Sequence, residues 1–231
     1  MRKREVLLMV SAIGLLLSGC SSIDTKGDIN SSNSMGKSAL IEAIANSKGS
    51  VSILVEGGAN VNAKDMYGNT PLLLAVEKKD RETVKYLIDK GANVNVKNNN
   101  GDTPFMAAAR NGDIETIKLL MSKGVNVNSK DGKGNTILIE AINRNNDEMV
   151  KFLLENGANV NVRDKWMNKE KTALMLVIEN YMPVEIMEIM VAKGVELDVK
   201  DEDGNTALIT AVQRNNIAAV KLLTAKGAEK K

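Results

Sequence analysis

Thr70-Pro71-Leu72-Leu73-Leu74-Ala75-Val76, then Val84, Leu87 and Ile88, then Gly91-Ala92-Asn93-Val94-Asn95: this stretch decides the fold. Thr70 can cap a first helix through its hydroxyl. Pro71 suits the first helical position, where its missing N–H is no loss. Val84, Leu87 and Ile88 are three and four residues apart, so they share one face of a second helix. Gly91 falls just past that helix, where a left-handed residue ends it. The pattern then recurs. Gly58, Gly91, Gly124, Gly157, Gly194 and Gly227 are spaced 33, 33, 33, 37 and 33 residues apart. Stripes equivalent to Val84–Ile88 occur at Ile117, Leu120 and Met121, at Val150, Leu153 and Leu154, and at Val220, Leu222 and Leu223. Gly68, Gly101, Gly134 and Gly204 mark turns in the connecting loops.

A 33-residue period with Thr70-Pro-Leu, Thr103-Pro-Phe and the looser Thr136-Ile-Leu, Thr172-Ala-Leu and Thr206-Ala-Leu resembles the ankyrin repeat. The resemblance implies an all-α ankyrin-repeat solenoid of about six stacked helix-turn-helix repeats joined by β-hairpin loops. The expected helix pairs are 38–57, 70–90, 103–123, 136–156, 172–193 and 206–226. Val61, Val94, Val127, Val160 and Leu197 are expected to point between repeats. One pair cannot hide its apolar face alone, so stacking is obligatory. Two departures stand out. Where the family often has His, this chain has Leu73, Met106, Ile139, Met175 and Ile209, so more must rest on apolar packing. The fifth repeat has extra residues in its loop (163–171), one more near Tyr181, and no loop glycine.

The resemblance also implies that a partner protein meets the concave side, built from loop tips and the exposed side of the first helices. Carried over position by position, that surface includes Met66, Tyr67, Asn99, Asn100, Lys133, Trp166 and Met167 on the tips. Arg110 and Arg144 lie on first helices, and Tyr181 lies beside the fifth. Trp and Tyr anchor interfaces well because they bury much area with few torsions. Trp166, the chain's one Trp, sits on the longest tip. It either anchors a partner or folds back over its own repeat. Met175, Met182, Met187 and Met190 either patch packing around the insertions or form an adaptable surface.

Composition sets limits. The chain has 231 residues, no His, one Cys and few aromatics. Zinc sites drawn from Cys and His, His-based triads and internal disulfides are therefore excluded. Asp201-Glu-Asp-Gly-Asn suggests a calcium loop, but Val199 and Thr210 occupy the first and last ligand positions. Gly36-Lys37-Ser38 lacks the earlier glycine of a phosphate loop, because position 31 is Ser31. Catalysis, cofactors and metal ions are not expected, and a monomer is.

Met1–Glu5 is basic, Val6–Leu17 is apolar, and Leu17-Ser18-Gly19-Cys20 follows. This is an export signal. Its apolar core is shorter than the ~20 residues needed to span a bilayer. Leu-Ser-Gly-Cys resembles the bacterial lipobox, which implies lipid, including palmitate, on Cys20 and removal of 1–19. Past Cys20 the chain carries 28 basic and 28 acidic residues, which argues against nucleic-acid binding. Ser21 implies the outer membrane, facing the periplasm, in a didermal cell. In a monodermal cell the outer face of the plasma membrane is implied. Residues 20–37 read as the lipidated Cys and a flexible tether, 38–227 as the repeat domain and 228–231 as a tail. The expected function is an envelope-anchored protein-interaction module. A self-associating surface lipoprotein without a dedicated partner is the alternative, and a host-directed effector is a more distant one.

Overall fold

The computed structural model describes residues 28–46, 50–164 and 170–228. Among these, twelve helices follow one another in pairs. They are α1 (Ala39–Ala45) and α2 (Val51–Glu56), α3 (Pro71–Glu77) and α4 (Arg81–Asp89), and α5 (Pro104–Arg110) and α6 (Ile114–Ser122). Then come α7 (Ile137–Asn143) and α8 (Asp147–Glu155), α9 (Ala173–Glu179) and α10 (Val184–Ala192), and α11 (Ala207–Gln213) and α12 (Ile217–Ala225). These are the six expected pairs. The residues divide into two compact units, one up to Val125 and one from Asn126 onward. In the first unit α1, α3 and α5 stack side by side. In the second, α7, α9 and α11 do the same, with α8, α10 and α12 stacked behind.

The Thr-x-x pattern works as capping chemistry. Thr70, Thr103, Thr172 and Thr206 accept hydrogen bonds at Oγ1 from the N–H groups of Leu73, Met106, Met175 and Ile209, at 3.2–3.3 Å. Ser38 does the same for Ile41 at 3.4 Å. Thr136 departs from the pattern: it makes no cap bond, and its buried hydroxyl has no partner. The second helices start on a carboxylate or amide instead. Asp80, Asp113, Asn146 and Asn216 cap α4, α6, α8 and α12. Gly91 and its equivalents adopt positive φ at the ends of the second helices, as a left-handed cap requires.

The position where the family often has His is filled by packed hydrocarbon: Leu73, Met106, Ile139 and Met175 are buried. Met182, Met187 and Met190 are buried as well, so these three and Met175 serve packing and form no adaptable surface. Val160 is buried, and Val61, Val94, Val127 and Leu197 are partly buried. The loops differ from the expected β-hairpins. Among the described residues they contain no strand, only isolated bridges such as Lys130 with Thr136 and Arg163 with Thr172. They are built on side-chain turns. Asp65 Oδ1 accepts from the N–H groups of Tyr67 (2.9 Å) and Asn69 (2.8 Å), and Asn98, Asp131 and Asp201 repeat the arrangement. The carboxylate replaces the strand ladder, because it satisfies the loop's own amides.

The expected tether is corrected at its C-terminal end. Residues 28–37 are a further loop of the same kind, with Asn33 Oδ1 accepting from Met35 N and Lys37 N. This loop is docked on the next one, since Met66 N donates to Met35 O at 3.0 Å. Gly36, at φ +70°, passes so close that a Cβ would lie 2.8 Å from Met66 N. The repeat domain thus takes in residues 28–37.

Candidate protein-binding surface

The loop motif Gly-Ala-Asn-Val-Asn has a stitching role that the sequence reading did not foresee. Asn62 donates through Nδ2 to Gly91 O (3.3 Å) and accepts at Oδ1 from Asn93 N (2.8 Å), both in the following repeat. Asn30, Asn128 and Asn161 repeat this pair of bonds to the loops beginning at Gly58, Gly157 and Gly194. The signal was an Asn recurring one period apart at an exposed loop site. A second series joins helix pairs: Asn111 Nδ2 donates to Val76 O, Asn180 to Ile142 O and Asn216 to Ile178 O.

In the first unit the loop tips carry the expected residues. Met66 and Tyr67 are 54% and 52% exposed. Asn99 and Asn100 are exposed beside them. Asn99 N donates to Tyr67 O (3.0 Å) and its Nδ2 to Met66 O (3.1 Å), so the two tips are brought together. Met35, read as tether, adjoins Met66 and is 41% exposed. Arg110 is half-buried and committed to Asp102 at 2.6 Å. Nearby Glu77 has its carboxyl pushed above its ordinary pKa by partial desolvation, opposed by Arg110 and reinforced by Asp102 and Asp65. Arg81 of α4 bridges Asp113 at 2.6 Å. Burial alone would raise the pKa of Asp113, but hydrogen bonds from Arg81 and Thr116 overcome it and hold the carboxyl below its ordinary value.

In the second unit, Lys133 is an exposed tip residue and Arg144 is an exposed partner of Glu140 at 2.6 Å. Tyr181 is exposed in the turn between α9 and α10, away from the loop tips, and its hydroxyl donates to Arg214 O at 2.6 Å. Trp166 and Met167 lie outside the described residues, as does Cys20. An open groove of about 370 Å³ lies between the loop tip at Asp201–Asn205 and the first helices α9 and α11. Its wall is an ion triad: Lys171 Nζ sits 2.7 Å from both Glu179 oxygens, and Arg214 Nη2 sits 2.9 Å from Oε1. Glu179 is largely buried. Desolvation opposes its ionisation, but hydrogen bonds from Lys171 and Arg214 prevail and lower its pKa. Asp201, Asp203 and Asn205 line the opposite side, so the groove presents cationic donors and carboxylate acceptors together, suited to the main-chain and polar side-chain groups of a bound chain. Lys171 stands directly before the capping Thr172, as Asp102 and Asn205 stand before Thr103 and Thr206, and like them it pairs with the side chain eight residues on.

The repeat of capped helix pairs and stitched loops agrees with the comparisons. The family model described as Ankyrin repeats (3 copies) matches residues 9–98, 91–164 and 163–231. The chain belongs to the ankyrin-repeat family. It is similar to the crystal structure of the ankyrin repeat domain of Bcl-3, described as a unique member of the IkappaB protein family. That likeness has a TM-score of 0.74 and 25% identity, over 95% of this chain and 96% of that one. No curated protein sequence matches it. Ankyrin repeats are a general protein-interaction module, and their fold is typically a non-catalytic binding scaffold. Among the described residues there is no cluster of metal-ligating side chains, and no helix is long and apolar enough to cross a membrane.

Proposed function

We propose that this chain is a bacterial envelope protein held to its membrane by lipid on Cys20, and that its repeats capture a partner protein through loop tips and first helices. The observation that supports capture is the Lys171–Glu179–Arg214 groove. It combines a preformed concavity with oriented donors on the side where ankyrin repeats meet their partners, and the Trp166 loop adjoins it in sequence. Lys133 and Arg144 extend the surface in that unit, whereas Tyr181 lies off it, and Asn99, Asn100 and Arg110 offer polar contacts in the other. The anchor rests on the Leu17-Ser18-Gly19-Cys20 motif after an apolar core too short to span.

Affinity capture from detergent-solubilised envelopes tests both parts. Arg214→Ala combined with Trp166→Ala is expected to lower capture of the partner about tenfold or more, the scale of an interface hot spot. Undiminished capture of the same protein would place the interface elsewhere. Cys20→Ser is expected to move the chain from the membrane to the soluble fraction. A variant that stays fully membrane-bound removes the lipid anchor from the reading.

A further inference from the structure

We infer that the patch formed by Met35, Met66 and Tyr67 rests on the lipid surface itself, leaving the second unit's groove to the protein partner. This rests on the lipid anchor proposed above. The described residues begin at Asp28, with seven residues between it and Cys20. Even fully extended, that connection spans no more than about 28 Å. The first loop is therefore held beside the bilayer, and Met35 lies in that loop.

The patch has the composition of an interfacial contact. Three large side chains with apolar bodies stand between 41% and 54% exposed on tips whose neighbours are polar. Tyr pairs an apolar ring with a wet hydroxyl, which suits the headgroup boundary. The tips are fixed to each other through the Met66 N to Met35 O bond and the close approach at Gly36, so placing them on lipid costs little ordering. Exposed Lys64 and half-buried Lys37 flank the patch in sequence and favour an anionic leaflet. The carboxylate next to Lys64, Asp65, is buried and turned onto the loop amides. It puts no negative charge against the headgroups.

The test uses the full lipidated chain in phosphatidylethanolamine–phosphatidylglycerol vesicles with brominated acyl chains. The background is Trp166→Phe, with Tyr67→Trp as the sole indole. Emission is expected to fall at least about twofold relative to unbrominated vesicles, since interfacial side chains sit ~5–10 Å into the headgroup and acyl boundary. Adding Met35→Ser and Met66→Ser should restore most of that emission. These positions are exposed, so folding is retained, as circular dichroism would confirm. If mass analysis shows lipid on Cys20 and the indole is unquenched, the patch does not meet the membrane and is free for a protein. The anchor then stands alone. If Cys20 carries no lipid, both the anchor and the docking fall.

Discussion

At the scale of single residues, the caps separate two kinds of threonine that look alike in sequence. Thr103 spends its hydroxyl on Met106 N, while the hydroxyl of Thr136 is buried without a partner. Thr103→Val should therefore lose about 1 kcal/mol, the usual worth of an N-cap. Thr136→Val should cost nothing measurable or stabilise slightly, because it removes an unpaired buried polar group. Urea unfolding of the two variants checks this. A loss at Thr136 equal to that at Thr103 would contradict it. The repeat was legible because cap, proline and glycine act locally, so their spacing survives in the sequence. Whether a particular hydroxyl finds its amide depends on backbone angles that spacing does not carry. The left-handed turn between paired helices was equally hidden. It is Gly112 in one repeat but Lys79, Asn145, Tyr181 and Asn215 in the others, so no residue type marks it. That turn also explains why Tyr181 stands away from the tips and hydrogen-bonds to the next repeat.

At the scale of elements, the loops do more than connect. Each stitching Asn makes two neutral hydrogen bonds to the next repeat, so Asn161→Ala should cost about 1–2 kcal/mol. Its effect should fall on coupling between adjoining repeats, seen as a broader urea transition. An exposed Asn whose side chain bonds only within its own loop, such as Asn126, is the control. Hydrogen exchange at Glu196, whose N–H bonds Asn161 Oδ1, should quicken in the Asn161 variant. The loop at 28–37 escaped the sequence reading for a related reason. It is rich in Ser and Asn, a composition shared by tethers and by turns built on side-chain caps. Only its packing against the Asp65 loop distinguishes the two. Lys171 was missed because the residue before the capping Thr changes type from repeat to repeat, Asp102 and Asn205 standing in the same place, while its pairing with the side chain eight residues on recurs.

At the scale of the whole molecule, the two ionised carboxylates set the acid limit, one in each unit. Asp113 and Glu179 have folded pKa values below their ordinary 3.8 and 4.5. Their contribution is fully present above those ordinary values and is lost as pH falls through the folded ones. The urea midpoint should thus drop between about pH 5 and pH 3. Asp113→Asn and Glu179→Gln should flatten that fall while lowering stability at neutral pH. With no histidine in the chain, no imidazole titration adds a change in stability between about pH 5 and pH 8. The asparagine stitches carry this independence further. A contact between charges weakens in brine and tightens in dilute medium, whereas an amide bonded to a peptide group is nearly indifferent to both. Repeats joined that way keep their alignment as the surrounding electrolyte changes, and the geometry offered to a partner keeps its form with them.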